Sequence, residues 1–424
     1  MNSILFLIGD FLPTKSGGTI RLEKLIKYLP DSKWKKVILT RRVEGTVPFE
    51  IINSNRIYRS KCYDITKIYH FVIGKFSKTK NTKSHKPSNS ISQNGRLADK
   101  WLVPDVHIFW AIFSIKKFHR IINNEKIQVI YSTSPQPSVH LITLLHNFFY
   151  KTKIPWIVEF RDPWIFNPFR SKKNRLLEAL DNFLEKNVLK HATKVIVTSE
   201  IYKEEFLKKY SFLNSEKVFY VPNGYDSEDF TEIIKYPKNS DKISIIHAGN
   251  FYGQRTVRPF LEAIFNIFQN YPNAKEKMEF VQYGSLDPIG EDFIIKNPNP
   301  MVKVRNFIPH NESLKRMVNA DWLLLVPGPG KGTMSGKFYE YLASEVPILA
   351  LVDEGSVREI IQNNDCGIVL MPDDVAKIYL ILTKILHSQI TVHDLKIGRN
   401  KFEIFDRKNI AVRISKIIEN ALHC

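Results

Sequence analysis

A cation and a carboxylate stand three residues apart behind a flexible stretch. Lys337 and Glu340 follow Pro327-Gly328-Pro329-Gly330, then Gly332, Ser335 and Gly336. The stretch opens a helix pattern with Phe338, Tyr341 and Leu342 on one side. Residues 346–351 then read as a short buried strand, and Gly355 opens a second helix carrying Glu359. A helix N-terminus behind a glycine loop favours anions, because its first N–H groups are free and the dipole is positive there. A cation for phosphate and a carboxylate for sugar hydroxyls at this spacing point to a nucleotide-sugar site. The plainer reading of Glu340 and Glu359 is a carboxylate serving the helix dipole.

Two further places carry chemistry. The apolar run 154–160 ends in Arg161-Asp162, and in open α/β sheets ligands bind at the carboxyl ends of strands. The alternative is an internal ion pair that holds the loop. Gly17-Gly18 follow the first apolar run and lead into a helix pattern; a tight turn explains them as well. Other chemistries are excluded. No Asp-x-Asp occurs, so the usual motif for a divalent ion in a metal-dependent transferase is missing. GKGTMSGK fails as a phosphate loop, since Lys331 stands at the first glycine position and Phe338 where Ser or Thr must hold magnesium. There is no G-x-S-x-G elbow and no metal spacing among the 12 histidines. No metal site and no cofactor are expected.

These residues must be positioned by a chain of 424 residues, long enough for two or three domains. The formal net charge is +19, from 62 Lys and Arg against 43 Asp and Glu, which implies an anionic partner. The cysteines, Cys62, Cys366 and Cys424, are odd in number and far apart, which suggests a reducing compartment. No basic region precedes the apolar run 4–8, so it reads as a first buried strand rather than a signal peptide. No apolar stretch reaches membrane-spanning length. The expected location is cytoplasmic, peripheral at the inner face of the plasma membrane.

Strand and helix patterns alternate over 3–40 and again from 101. Between them, residues 60–100 form a basic insert. Lys61 to Lys86 include seven lysines and a single acid, Asp64, beside Ile68, Tyr69, Phe71 and Phe76. Such a segment fits an anionic membrane surface, and fits a solvated basic loop as well. After the polar linker 235–242 the alternation resumes with 243–249. Expected domains are 1–228, 242–400, and a helical tail 401–424 that returns to the first domain. No helix-turn-helix or RNA-binding pattern supports a nucleic-acid partner.

FLPTKSGGTIR, VEFRDPW, VPNGYD, HAGNFYGQR and KFYEYLASEVPILAL, in this order along nearly the whole chain, resemble the retaining family-four GT-B glycosyltransferases of bacterial surface-polysaccharide and lipopolysaccharide synthesis. The resemblance implies an α/β, GT-B-like fold of two Rossmann-like, doubly wound domains facing a central cleft. It implies transfer of a hexose-type sugar from a nucleoside-diphosphate donor to a lipid-linked or polysaccharide acceptor, with retention. By the same resemblance Arg161 and Asp162, where relatives have His-Asp, sit near the reacting sugar. Gly17, Gly18, Asn250, Arg255 and Lys337 serve the diphosphate, Glu340 the ribose, and Gly249, Ser335, Gly336 and Glu359 line the donor site. Two departures stand out. Asn250 replaces the first of two usual cations, for which Arg258 or Lys337 could compensate. Gly332 replaces the first signature glutamate. They support the alternatives: a non-catalytic scaffold on a membrane surface, and, less favoured, a sugar-nucleotide epimerase.

Overall fold

The structure, a computed structural model, describes residues 1–14, 17–62, 101–168, 170–236, 241–253, 255–395 and 397–423. The basic segment 61–86 therefore lies, apart from its first two residues, outside the described residues. The chain divides into two compact units, Met1–Thr198 with Tyr202–Val221 and the segment from Val412, and Pro222–Ala411 with Ser199–Ile201.

In the first unit the elements run β1 (Asn2–Ile8), α1 (Gly17–Tyr28), β2 (Trp34–Arg41), β3 (Phe49–Ile52), β4 (Asn55–Ser60), α2 (Ile108–Glu125), β5 (Val129–Thr133), α3 (Ser138–Tyr150), β6 (Trp156–Phe160), α4 (Arg175–His191), β7 (Lys194–Val197), α5 (Glu200–Lys209) and β8 (Val218–Tyr220). The sheet order is β3-β4-β2-β1-β5-β6-β7-β8. Every pairing is parallel except β3 with β4. Strands covered by helices on both faces need apolar side chains on both, which is why residues 4–8 of β1 read as a continuous apolar run; β5 and β6 are equally buried but carry Ser132, Thr133 and Glu159. The reading that residues 60–100 interrupt the pattern overlooks the β3–β4 hairpin just before them. Its buried Arg59 pairs with Glu50, so a charged residue sits where an apolar one marks a strand.

The second unit runs β9 (Ile243–Ala248), α6 (Arg258–Asn270), α7 (Ala274–Lys277), β10 (Met278–Tyr283), α8 (Pro288–Lys296), β11 (Val302–Arg305), α9 (His310–Val318), β12 (Trp322–Leu325), α10 (Gly336–Ser344), β13 (Ile348–Leu351), α11 (Ser356–Asn363), β14 (Gly367–Leu370) and α12 (Val375–Leu386). Its six strands, ordered β11-β10-β9-β12-β13-β14, are all parallel. Both sheets are doubly wound. Succession reverses between β1 and β5 in the first and between β9 and β12 in the second. At such a switch point the loops at the strand carboxyl ends part and leave room for a ligand.

Residues 222–236 belong with the second unit. Tyr225 donates its N–H to Phe405 O at 3.1 Å and accepts from Arg407 N at 2.9 Å. The last helix, α13 (Arg407–Leu422), contributes to the first unit from Val412 on. There Ser415 Oγ accepts from the buried Trp34 Nε1 at 3.2 Å. Among the described residues no helix is long and apolar enough to cross a membrane, and no group of three or more His, Cys, Asp or Glu side chains could hold a metal ion.

Candidate functional site

In the second unit the candidate residues collect at the carboxyl ends of β9 and β12, on either side of the switch point. Ser335 caps α10, its Oγ accepting the Phe338 N–H at 3.4 Å. Gly336 and Lys337 are then the first residues of the helix. Lys337 Nζ donates to Glu340 Oε2 at 2.9 Å and lies 3.4 Å from Ser313 Oγ. The other oxygen of Glu340 lies 3.0 Å from His310 Nε2, at the start of α9. Burial would raise the Glu340 carboxyl, but the hydrogen bond with His310 and the charge of Lys337 hold it down at about 2. Glu340 is therefore an ionised carboxylate in a largely buried site, which fits an acceptor for hydroxyl groups.

Arg255 follows β9. Its guanidinium lies 4.7 Å over the Tyr252 ring, and Nη1 donates to the Tyr252 hydroxyl at 3.1 Å. Its Nε is buried and has no hydrogen-bond partner among the described residues. Its stem passes Gly328, whose φ of +87° suits glycine and whose added Cβ would sit 2.8 Å from Arg255 Cγ. A small residue after β12 thus lets the arginine cross the switch point. Near the end of β9 lies His247, its Nδ1 2.8 Å from Gln282 Oε1 on β10 and its ring stacked on Phe251 at 4.1 Å. Burial drives its pKa down to about 4; the Gln282 hydrogen bond opposes this, and the charges of Lys337 and Arg255 add to it. The imidazole stays neutral, and two cations face the same strand ends.

Asn250 does not take over the role of a cation. Its Oδ1 accepts the Ser285 N–H at 3.0 Å and ties the β9 loop to the β10 loop. Gly249 N–H donates to Tyr283 O at 2.9 Å in the same junction. Arg258 opens α6, with Nε 3.3 Å from Glu262. Glu359 lies in the first turn of α11, and among the described residues no hydrogen bond or ion pair joins it to Lys337, Glu340 or Arg255.

The first unit brings its own candidates together around β1, β5 and β6. Gly17 and Gly18 begin α1. A Cβ on Gly18 would land on the Arg161 guanidinium, so this glycine is required by close approach. Arg161 donates through Nε to the Ser134 carbonyl, and the Arg161 N–H donates to Ser134 Oγ at 3.2 Å. A guanidinium against a helix N-terminus places two positive groups side by side, which suits an anion. The side chain of Asp162 is exposed, one residue beyond.

Sequence reasoning missed the pair that sets this geometry. Arg21 on α1 donates to Glu159 Oε1 through Nε at 2.9 Å and Nη2 at 2.7 Å, and both side chains are buried. Thr133 Oγ1 donates to Glu159 Oε2 at 2.6 Å, and Arg21 Nη2 also reaches Val221 O at 3.2 Å. Burial alone would raise the Glu159 carboxyl; Arg21 and Thr133 outweigh it and leave it below its ordinary value. The pair fastens α1 to β5, β6 and β8. His310 was missed too, since nothing local links it to a residue 30 positions on.

The model of the family described as Glycosyltransferase Family 4 matches residues 16–229, half of the chain. A search of curated proteins finds no match. Among solved structures, an E. coli one described as trehalose-6-phosphate bound with UDP-2-fluoro glucose aligns at 11% identity with a TM-score of 0.67, covering 100% of this chain and 99% of that one. Anabaena HepE in complex with UDP aligns at 12% identity and TM-score 0.63, covering 99% and 100%. S. aureus MnaA with UDP aligns at 12% identity and TM-score 0.55, covering 100% and 97%. At these identities the likeness is one of fold, with both doubly wound units represented.

Proposed function

The chain belongs to glycosyltransferase family 4 and has the GT-B type of fold, and from that premise we propose that it moves a hexose-type sugar from a nucleoside-diphosphate donor to a lipid-linked or polysaccharide acceptor. The observation that carries the donor half is the set of groups at the β9–β12 switch point. Arg255 has a buried, unpartnered Nε, Lys337 stands in the first turn of α10, and Glu340 is held ionised beside it.

Departure of a nucleoside diphosphate gathers negative charge on the leaving group. Arg255, Lys337 and the free N–H groups of α10 are fixed there in advance, so they stabilise that charge without reorganisation. In this reading Glu340 accepts the ribose hydroxyls, with His310 and Lys337 orienting its two oxygens. The side chains do this without a metal. Arg161 and Asp162, beside the α1 N-terminus, meet the reacting sugar or the acceptor. Retention of configuration rests on the family resemblance. The acceptor side lies at the inner membrane surface, where the excess of basic residues favours anionic lipid.

The test is transfer itself. The protein is incubated with nucleotide sugars and a bacterial lipid extract in excess chelator. Release of nucleoside diphosphate with labelling of the lipid or glycan fraction supports the reading. Neither product from any donor, with the protein folded, overturns it. Gly332 at the position of the first signature glutamate favours a second reading, a non-catalytic scaffold on a membrane surface that keeps the fold without donor chemistry.

A further inference from the structure

Helix α4 carries three acids, Glu178, Asp181 and Glu185; the last two are buried, the first is half-buried, and all three are paired. Glu178 pairs with Arg170 at 2.8 Å. Asp181 is buried against Arg170 at 2.6 Å and Lys173 at 2.7 Å. Glu185 is buried against Lys209 at 3.1 Å and the Tyr210 hydroxyl at 2.6 Å. The outer face has the opposite character. Leu176, Leu180 and Phe183, spaced four and three residues apart on one stripe, are 79%, 43% and 61% exposed. Arg175, Lys186 and Lys190 flank that stripe and are exposed as well. A helix on a water-facing surface turns its apolar stripe to the core and its charges outward. Here α4 buries Val188 and Leu189 against the core but also exposes a second apolar stripe, its acids are all paired, and its exposed charged residues are all positive.

The neighbouring helix α3 packs beside α4 and ends in the same combination. Phe148 and Phe149 are 75% and 63% exposed, and the exposed Lys151 and Lys153 follow them. Apolar side chains flanked by cations, with no exposed acid on the helix face, match the boundary of an anionic bilayer. There the rings and leucines enter the acyl edge while Lys and Arg stay among the headgroups. A symmetric contact with a second copy would oppose the same cations to one another.

We propose that the outer face of α4, continued by the end of α3, docks on an anionic lipid bilayer. This assigns a surface of described residues distinct from segment 61–86, and it does not depend on the donor-site assignment.

The test is co-sedimentation of the full chain with vesicles of phosphatidylcholine containing phosphatidylglycerol, and with vesicles of phosphatidylcholine alone. Variants are Leu176→Ser/Leu180→Ser/Phe183→Ser and, separately, Lys186→Glu/Lys190→Glu. All are surface changes, checked by an unchanged melting temperature and unchanged nucleotide binding. Wild type is expected to bind the anionic vesicles and to lose binding as salt rises. The triple variant should bind roughly a hundredfold more weakly and the charge variant roughly tenfold more weakly. Binding of the triple variant at wild-type strength overturns the proposal and leaves the lipid contact elsewhere. No vesicle binding by wild type overturns both this surface and the membrane location. A wild-type dimer that the triple variant converts to monomer overturns it in favour of a self-association face.

Discussion

At the residue scale the account rests on Arg255, Lys337 and Glu340. Arg255 is stacked on Tyr252, and its buried Nε has no hydrogen-bond partner among the described residues. Replacing it by alanine removes a charge-assisted contact, typically 1.5–3 kcal/mol, so diphosphate affinity should fall about 10- to 100-fold by calorimetry. A uniform affinity across the variant and wild type would remove Arg255 from the site. Glu340 makes a prediction in pH. Its folded pKa is depressed to about 2 from an ordinary 4.5, so its stabilising pairings are fully present above that ordinary value. They are lost as pH falls through about 2. The stability difference between wild type and Glu340→Gln should therefore stay constant from neutral pH down to the ordinary value and shrink below it, as read by denaturant melts. A difference that already changes between neutral pH and the ordinary carboxylate value would contradict this assignment. Lys337 and Glu340 were singled out from a local pattern of loop and helix start, and Arg255 through the resemblance of HAGNFYGQR to a phosphate-binding loop. His310, Gln282 and His247 were not, because only the strand order brings them to the same end of the sheet.

At the element scale, two connections hold the candidate residues in place. In the first unit α1 is fastened by Arg21–Glu159 so that its N-terminus meets Arg161 across Gly18. Glu159→Ala leaves a buried guanidinium without its carboxylate. It should cost about 3–5 kcal/mol in denaturant unfolding, and a cost under about 1 kcal/mol would show the pair to be dispensable. Gly18→Ala should act differently: Arg161 must leave its place, so transfer activity should drop at least about tenfold while the melting temperature moves little. The parallel strands were readable because burial on both faces demands unbroken apolar runs, as in 4–8 and 322–325. The β3–β4 hairpin was not, since its half-exposed residues and buried Arg59 break that rule. Helix α8 received no expectation from sequence; Pro288 stands in its first turn and Asp287 caps it through the Gly290 N–H.

At the scale of the whole molecule, the chain is two doubly wound units, each with a switch point where its own candidates converge. The helical tail matters to the first. Ile414, Ile417, Ile418 and Ala421 are buried, and Ser415 meets Trp34. Ending the chain before Val412 should destabilise that unit by more than about 3 kcal/mol and shift tryptophan emission to the red; an unchanged spectrum and melt would make the tail an accessory. The two-unit plan was legible from the alternation restarting near residue 243, whereas the assignment of 222–236 depends on pairing with residues 405–407, far along the chain. The central claim is that the β9–β12 switch point holds the diphosphate of a sugar donor. It is tested most directly by isothermal titration of UDP, GDP, ADP and CDP into wild type, Arg255→Ala and Glu340→Ala. The account predicts that one of these nucleotides binds wild type, and that both variants weaken it at least about tenfold with their folds intact. Binding of none of them, or binding untouched by either substitution, would contradict it.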